Sequence, residues 1–306
     1  MSDFLQKLLS ADRSTRIQIV SLEQSWQTGL AHQHYPECVR NLLGELVSAA
    51  VLLTSNIKFE GSLILQLQGD GPVALIVVEC DSELNIRATA TLREGQPIPE
   101  DGNLQQLMNA QNQGRFSVIL DPRRSDSNMS TYQGIVPLEG DTVAEVLQAY
   151  MHHSEQLDTR LWLAADGQRC AGLLLQRLPR EGGHAQLDDT VDQDDWDHLL
   201  ALTSTLTPDE LRQLDAQALL HRLYWNESLT AFEPQGVRWW CPCTRDRVAN
   251  MLRMLGKHEL EDLLTERQQI DVSCNFCGKP YRFDAIDCTQ LFLDAQDTPP
   301  SSSSPQ

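Results

Sequence analysis

Basic residues are scarce in this chain. Its 24 Lys and Arg stand against 43 Asp and Glu, a formal net charge of −19. That balance argues against gripping a phosphate backbone, because nucleic-acid affinity rests on clustered cations. The acidity has two readings: it favours solubility, and it would keep apart molecules that hold sticky partners. Long apolar runs are missing too. None approaches the roughly 20 residues that cross a bilayer, so no membrane partner is expected. The opening MSDFLQKLLS has no long apolar stretch behind a basic segment, so a secretory signal is not expected. The expected location is cytoplasmic, where thiols are kept reduced. No catalytic constellation is found, and the chain is not expected to be an enzyme. His32, His34, His152 and His153 have no companion nucleophile or glycine-rich motif and read as surface or packing residues. Gln66–Pro72 (QLQGDGP) lacks the Gly-Lys-Ser/Thr ending of a phosphate loop and reads as a hairpin turn.

What is present suits a folded core: 41% hydrophobic and 22% charged residues over a length of 306. Leu63, Leu65 and Leu67 recur with period two and stop at Gly69-Asp70-Gly71-Pro72; Val73–Glu79 resumes as an apolar strand, so the two predict a hairpin. Further strands are predicted at Leu84–Leu92, Arg115–Leu120, Leu161–Ala165 and Cys170–Gln176, the last two flanking an Asp166-Gly167 turn. Val39, Leu42, Leu43, Leu46, Val47 and Ala50 fall at helical spacing, as do Val143, Val146, Leu147 and Tyr150. Strand and helix do not alternate strictly and no repeat stands out. Residues 1–179 are therefore read as an α+β core domain rather than a doubly wound sheet.

From Arg180 the composition shifts. Residues 180–233 form an acidic helical linker in which Trp196, Leu199, Leu200 and Thr203 share a face. Thr207-Pro208-Asp209-Glu210 is a capping box with proline at the first helical position. Leu211, Leu214, Leu219, Leu220, Leu223 and Tyr224 continue the amphipathic pattern. These short helices cannot make a core alone; pattern leaves open whether they dock loosely or form a stable subdomain. Residues 234–292 carry a cysteine cluster. The tail 293–306, with Pro299-Pro300 and four serines, reads as disordered.

Of eight cysteines, four are paired: Cys241-Pro242-Cys243, then, after 30 residues, Cys274-Asn275-Phe276-Cys277-Gly278. In a reducing compartment clustered cysteines point to metal or redox chemistry rather than a disulfide framework. Two close pairs around a small helical unit suit a tetrahedral four-thiolate site, and zinc is favoured over an iron–sulfur cluster. Gly278 fits a knuckle turn that needs positive φ. Val248, Met251, Leu252, Leu255, Leu260, Leu263 and Leu264 predict the apolar face of a miniature core that requires its metal to fold. Thiolates held as ligands are also poised for oxidation, so spacing alone leaves a redox switch and a permanent scaffold both open. Cys38, Cys80 and Cys170 are expected in the core, and Cys288 has the wrong spacing for a ligand. Arg245, Arg247, Arg253 and Lys257 are answered by Asp246, Glu259, Glu261 and Asp262, which weighs against a nucleic-acid module.

The chain resembles the heat shock protein 33 family of bacterial redox-regulated holdase chaperones. The likeness is carried by the Cys-x-Cys and Cys-x-x-Cys pairs, by LQLQGDGP at 65–72, YQGIVPLEGDT at 132–142 and SEQLDTRLWL at 154–163, and by the flanks CTRDRV and CGKPYRFD. The resemblance implies an N-terminal α/β sheet domain, a helical linker and a small C-terminal zinc-binding α/β module. It implies one Zn2+ per chain held by Cys241, Cys243, Cys274 and Cys277, with the reduced form inactive. Oxidation would form Cys241–Cys243 and Cys274–Cys277 disulfides, release zinc, unfold the module and linker, and drive homodimer formation. The exposed surface would hold unfolding clients without ATP and pass them to ATP-driven foldases. Pro242 removes an N–H between the first two thiols and so bears on how readily that disulfide forms.

Overall fold

A computed structural model describes residues 3–58, 60–123, 130–179 and 189–293. The chain divides into two compact units, Met1–Trp240 and Cys241–Gln306. The stretch 180–188 at the start of the acidic segment, and all of the expected tail but residue 293, lie outside the described residues.

The first unit runs β1 (Phe4–Ser10), β2 (Thr15–Leu22), α1 (Gln24–Leu30), α2 (Glu37–Thr54), β3 (Gly61–Gln68), β4 (Val73–Asp81) and β5 (Asn85–Leu92). It continues through α3 (Leu104–Met108), β6 (Arg115–Pro122), β7 (Tyr132–Pro137), α4 (Val143–His153), β8 (Thr159–Ala165) and β9 (Cys170–Arg177). Then come α5 (Asp189–Thr203), α6 (Pro208–Gln213), α7 (Ala216–Tyr224) and three short strands, β10 (Leu229–Ala231), β11 (Gln235–Gly236) and β12 (Arg238–Trp239). One sheet has the order β10-β1-β2-β9-β8, with β11 also on β1; the other is β12-β5-β4-β3-β6-β7. All pairings are antiparallel except β12 on β5. The mixed architecture is the α+β class expected.

Helix α2 packs against β2, β8 and β9 of the first sheet and β3, β4 and β5 of the second. Its predicted stripe is buried, and so are Ala49, Val51 and Leu52. Covering from two sides leaves no solvent face for most of its length, which is why the helix is apolar beyond one stripe. The hairpin at 69–72 forms as predicted, with Leu67 opposite Ile76.

The first sheet is apolar on both faces. Leu5, Val20 and Leu174 point to α2, while Leu8, Ile17, Ile19, Leu173 and Leu175 point the other way. That second face is covered by α5 to α7 through Trp196, Leu199, Leu206, Leu211, Leu219, Leu223 and Tyr224. Leu200 is only partly buried there. Thr207 caps α6 in the predicted box with Glu210. Thr203 donates to the Leu199 carbonyl at 2.7 Å and lies 2.5 Å from the Tyr224 hydroxyl, so α5 and α7 share a buried polar tie. Arg169, in the β8–β9 turn, donates to the Arg212 carbonyl at 2.9 Å, and Arg212 faces Asp166 at 3.7 Å.

Gln235–Gly236 and Arg238–Trp239, grouped by sequence with the cysteines, pair with β1 and β5. The second unit begins at Cys241. It contains α8 (Arg245–Leu255), α9 (Lys257–Arg267), the hairpin β13 (Ile270–Ser273) and β14 (Pro280–Phe283), and α10 (Ala285–Leu293). Its core is Ala249, Leu252, Leu260, Ile270, Tyr281, Phe283, Cys288 and Leu291. Arg245 fastens three elements: its guanidinium lies 4.2 Å from the Phe283 ring centroid, donates to the Arg282 carbonyl at 2.6 Å and meets Asp287 at 2.8 Å. Of the predicted apolar face, Leu252 and Leu260 are buried and Val248, Leu263 and Leu264 partly so. Met251 and Leu255 are exposed instead. The small core admits only the stripe centred on Ala249 and Leu252, which leaves the flanks of α8 uncovered.

Candidate metal centre

Cys241 and Cys243 lie on the stretch leading into α8. Thr244 is that helix's N-cap, its hydroxyl accepting the Arg247 N–H at 3.2 Å. Cys243 therefore sits one residue outside a helix N-terminus, where the backbone dipole favours a thiolate. The second pair occupies the tip of the β13–β14 hairpin. There the Gly278 N–H donates to the Cys274 carbonyl at 2.8 Å, and the Cys274 N–H to the Lys279 carbonyl at 3.0 Å. Gly278 has φ +67°, the positive value the knuckle requires.

All four Sγ atoms lie within 4.8 Å of one another. Close approaches run across the two pairs: Cys241 to Cys274 at 3.6 Å and Cys243 to Cys277 at 3.3 Å. Sulfurs about 2.3 Å from a common centre stand roughly 3.8 Å apart in a tetrahedron. The cluster is thus compatible with a four-coordinate metal site. These separations far exceed a disulfide bond of about 2.05 Å, and all four are free thiols.

The four sulfurs are not equivalent. Burial pushes the Cys241 and Cys277 thiols up. Burial acts on Cys243 in the same sense, but the Tyr281 hydroxyl and the three neighbouring thiols outweigh it and bring Cys243 down to about 7. The Tyr281 hydroxyl is buried without an ordinary hydrogen-bond partner. Its own pKa is raised, first by the Cys243 sulfur. This tyrosine was missed by sequence reasoning; its only signal is a place on the strand four residues beyond Cys277.

The other cysteines divide differently from expectation. Cys80 and Cys170 are fully buried, and desolvation pushes each up to about 12, so they are inert core thiols. Cys38 is only half-buried: it packs against the edge of the main core from the first turn of α2 and donates to the Pro99 carbonyl at 3.2 Å. Cys288 is buried in the small core and takes no part in the four-sulfur cluster. His32, His34, His152 and His153 are all exposed.

The Hsp33 protein family model matches residues 3–284. The 33 kDa chaperonin of Methylobacillus flagellatus is 42% identical over 295 residues, covering 95% of each chain. That of Azotobacter vinelandii is 43% identical over 302 residues, covering 98% of each. This chain belongs to the Hsp33 chaperone family. The crystal structure of the 33 kDa chaperonin from Thermotoga maritima shares its fold, with a TM-score of 0.78 at 20% identity, over 97% of this chain and 100% of that one.

Within this Hsp33-family chain the quoted signatures have structural jobs. LQLQGDGP builds the β3–β4 turn: the Asp70 carboxylate accepts the Gln113 N–H at 2.8 Å, and a Cβ on Gly71 would stand 2.5 Å from the Leu107 carbonyl oxygen. YQGIVPLEGDT supplies β7 and Thr142, the N-cap of α4. SEQLDTRLWL leads into β8. Among the described residues no helix is long and apolar enough to cross a membrane.

Proposed function

We propose that this chain is a redox-regulated, ATP-independent holdase chaperone, inactive while reduced and zinc-bound. The observation that carries the reading is the convergence of four thiols in one small unit, joined with an apolar sheet face covered only by short helices. Cys241, Cys243, Cys274 and Cys277 would hold one Zn2+; their soft donor set and the spread of their sulfurs support that ion. Bound there, zinc would supply a Lewis-acidic centre that keeps all four sulfurs as thiolates.

An oxidant such as peroxide or hypochlorous acid takes two electrons from each thiol pair. Cys241–Cys243 and Cys274–Cys277 bonds form; each peroxide takes two electrons from one thiolate pair and two protons from solvent, and leaves as two waters. The oxidised sulfurs no longer hold the ion, and so small a core does not persist without it. The linker then detaches from the sheet, baring Ile17, Leu173 and its own Trp196 and Leu199 for unfolding clients. On this reading the chain works as a core of 1–179, a linker of 180–233, a switch of 234–292 and a disordered tail of 293–306. The oxidised form is a homodimer, acts in the cytoplasm under oxidative stress without catalysing a reaction, and hands clients to ATP-driven foldases. Neither nucleic acid nor membrane is a partner.

The test is aggregation of a thermally unfolding client, followed by light scattering with reduced and with fully oxidised protein. Suppression by the oxidised form alone is expected; undiminished aggregation after complete thiol oxidation would sink the proposal. Peptide mapping checks the pairing, since crossed Cys241–Cys274 bonds would contradict near-neighbour disulfides. Zinc retained through complete oxidation would instead favour a binding module with a permanent structural metal.

A further inference from the structure

A cavity of about 390 Å³ opens in the first unit at the end of α2. Its two walls differ because the strands change character along their length. On the α2-facing side of the first sheet, Leu5, Val20 and Leu174 are core residues. One step along the strands the same face turns polar: Lys7 stands opposite Gln18, and Arg16 opposite Gln176. The facing wall, from the second sheet, stays apolar with Leu63, Val118 and Leu120.

In a chain with a net charge of −19, Arg16 and Lys58 line the cavity, and Lys7 continues the polar face beyond the lining. Lys7 donates to the Ser55 carbonyl at 2.5 Å, just past the C-terminus of α2. Arg16 donates to the neutral Gln176 side chain at 3.3 Å. Burial lowers the pKa of both, and on Lys7 the Arg16 charge adds to it. Lys58 stands at the rim. Among the described residues none of these three cations has an ion-pair partner. Glu155, the one acid among the described lining residues, accepts the Tyr150 hydroxyl at 3.0 Å.

We infer that this cavity binds a single-chain aliphatic carboxylate, its tail against Leu63, Val118 and Leu120 and its headgroup toward Arg16 and Lys58. An apolar pocket with a few convergent polar groups is the usual form of a small-molecule site, and its volume lies at the small end of that range. The anion relieves the crowding of Arg16 on Lys7, and the tail bridges both sheets. Occupancy therefore stabilises the first unit.

Calorimetric titration of the reduced, zinc-loaded full chain with decanoate tests this, with decyltrimethylammonium as the cation of matched tail. Saturable one-site binding of decanoate is expected, together with a raised melting temperature, and no such binding of the ammonium. Arg16→Met, which keeps an apolar stem, should weaken decanoate about tenfold or more, as loss of a charged hydrogen bond does. Leu120→Phe narrows the cavity without touching a charge and should also weaken it. Absence of saturable binding, equal affinity for the two probes, or wild-type affinity in both variants would overturn the inference.

Discussion

Tyr281 illustrates how a single side chain tunes the cluster from outside it. A hydroxyl beside Cys243 stabilises the thiolate, and removing it acts on metal affinity as the loss of other outer-shell donors does. Tyr281→Phe should lower zinc affinity about tenfold or more by chelator competition. In the zinc-free chain it should also raise Cys243 from about 7, so that its alkylation at neutral pH slows. Glu45 offers a second test. This half-buried carboxyl on α2 is raised from 4.5 to about 7 by desolvation, which the Arg212 charge only partly offsets. The folded chain then binds a proton that the unfolded chain has released. Stability is greatest below the unfolded value and is lost as pH rises through about 7. Glu45→Gln should remove roughly 2–3 kcal/mol of that pH dependence, read by denaturant unfolding across the interval.

In the proposed switch, the linker helices are the element that would move. Trp196 and Leu199 are nearly inaccessible in the cluster over the first sheet, and truncating either leaves a cavity worth about 2–5 kcal/mol. Leu199→Ala should loosen α5 to α7 enough that reduced, zinc-loaded protein already suppresses part of a client's aggregation; light scattering reads the effect. Much of this element was legible in the sequence. The capping box at Thr207–Glu210, the Trp196 face and the need for an outside surface all follow from local chemistry. The hairpin at 69–72 and the knuckle at Gly278 are equally local. What was not legible is the surface itself. In β2, Ile17 and Ile19 face the linker while Val20 faces α2, so burial on both sides blurs the alternation that marks a half-exposed strand. The strands β10 to β12 are too short to show a period at all. Met251 and Leu255 were misplaced because spacing identifies a helical face but not how far its partner extends.

The whole molecule carries a four-thiol cluster in one unit and a covered apolar face in the other, a combination that periodicity and spacing alone do not reveal. Trp239 pairs beside β5, and two residues later Cys241 opens the second unit. The covalent path from the second unit to the sheets of the first is therefore short. The high negative charge suits a molecule that exposes apolar surface on demand, since mutual repulsion slows self-aggregation. Hydrogen exchange across residues 196–224 tests the coupling most directly, measured on the reduced, zinc-loaded chain and again after complete thiol oxidation, with zinc release followed on the same samples. The account predicts strong protection at Trp196, Leu199 and Leu219 in the first state, lost in step with zinc in the second. Equal protection in both states, with the zinc gone, would contradict it.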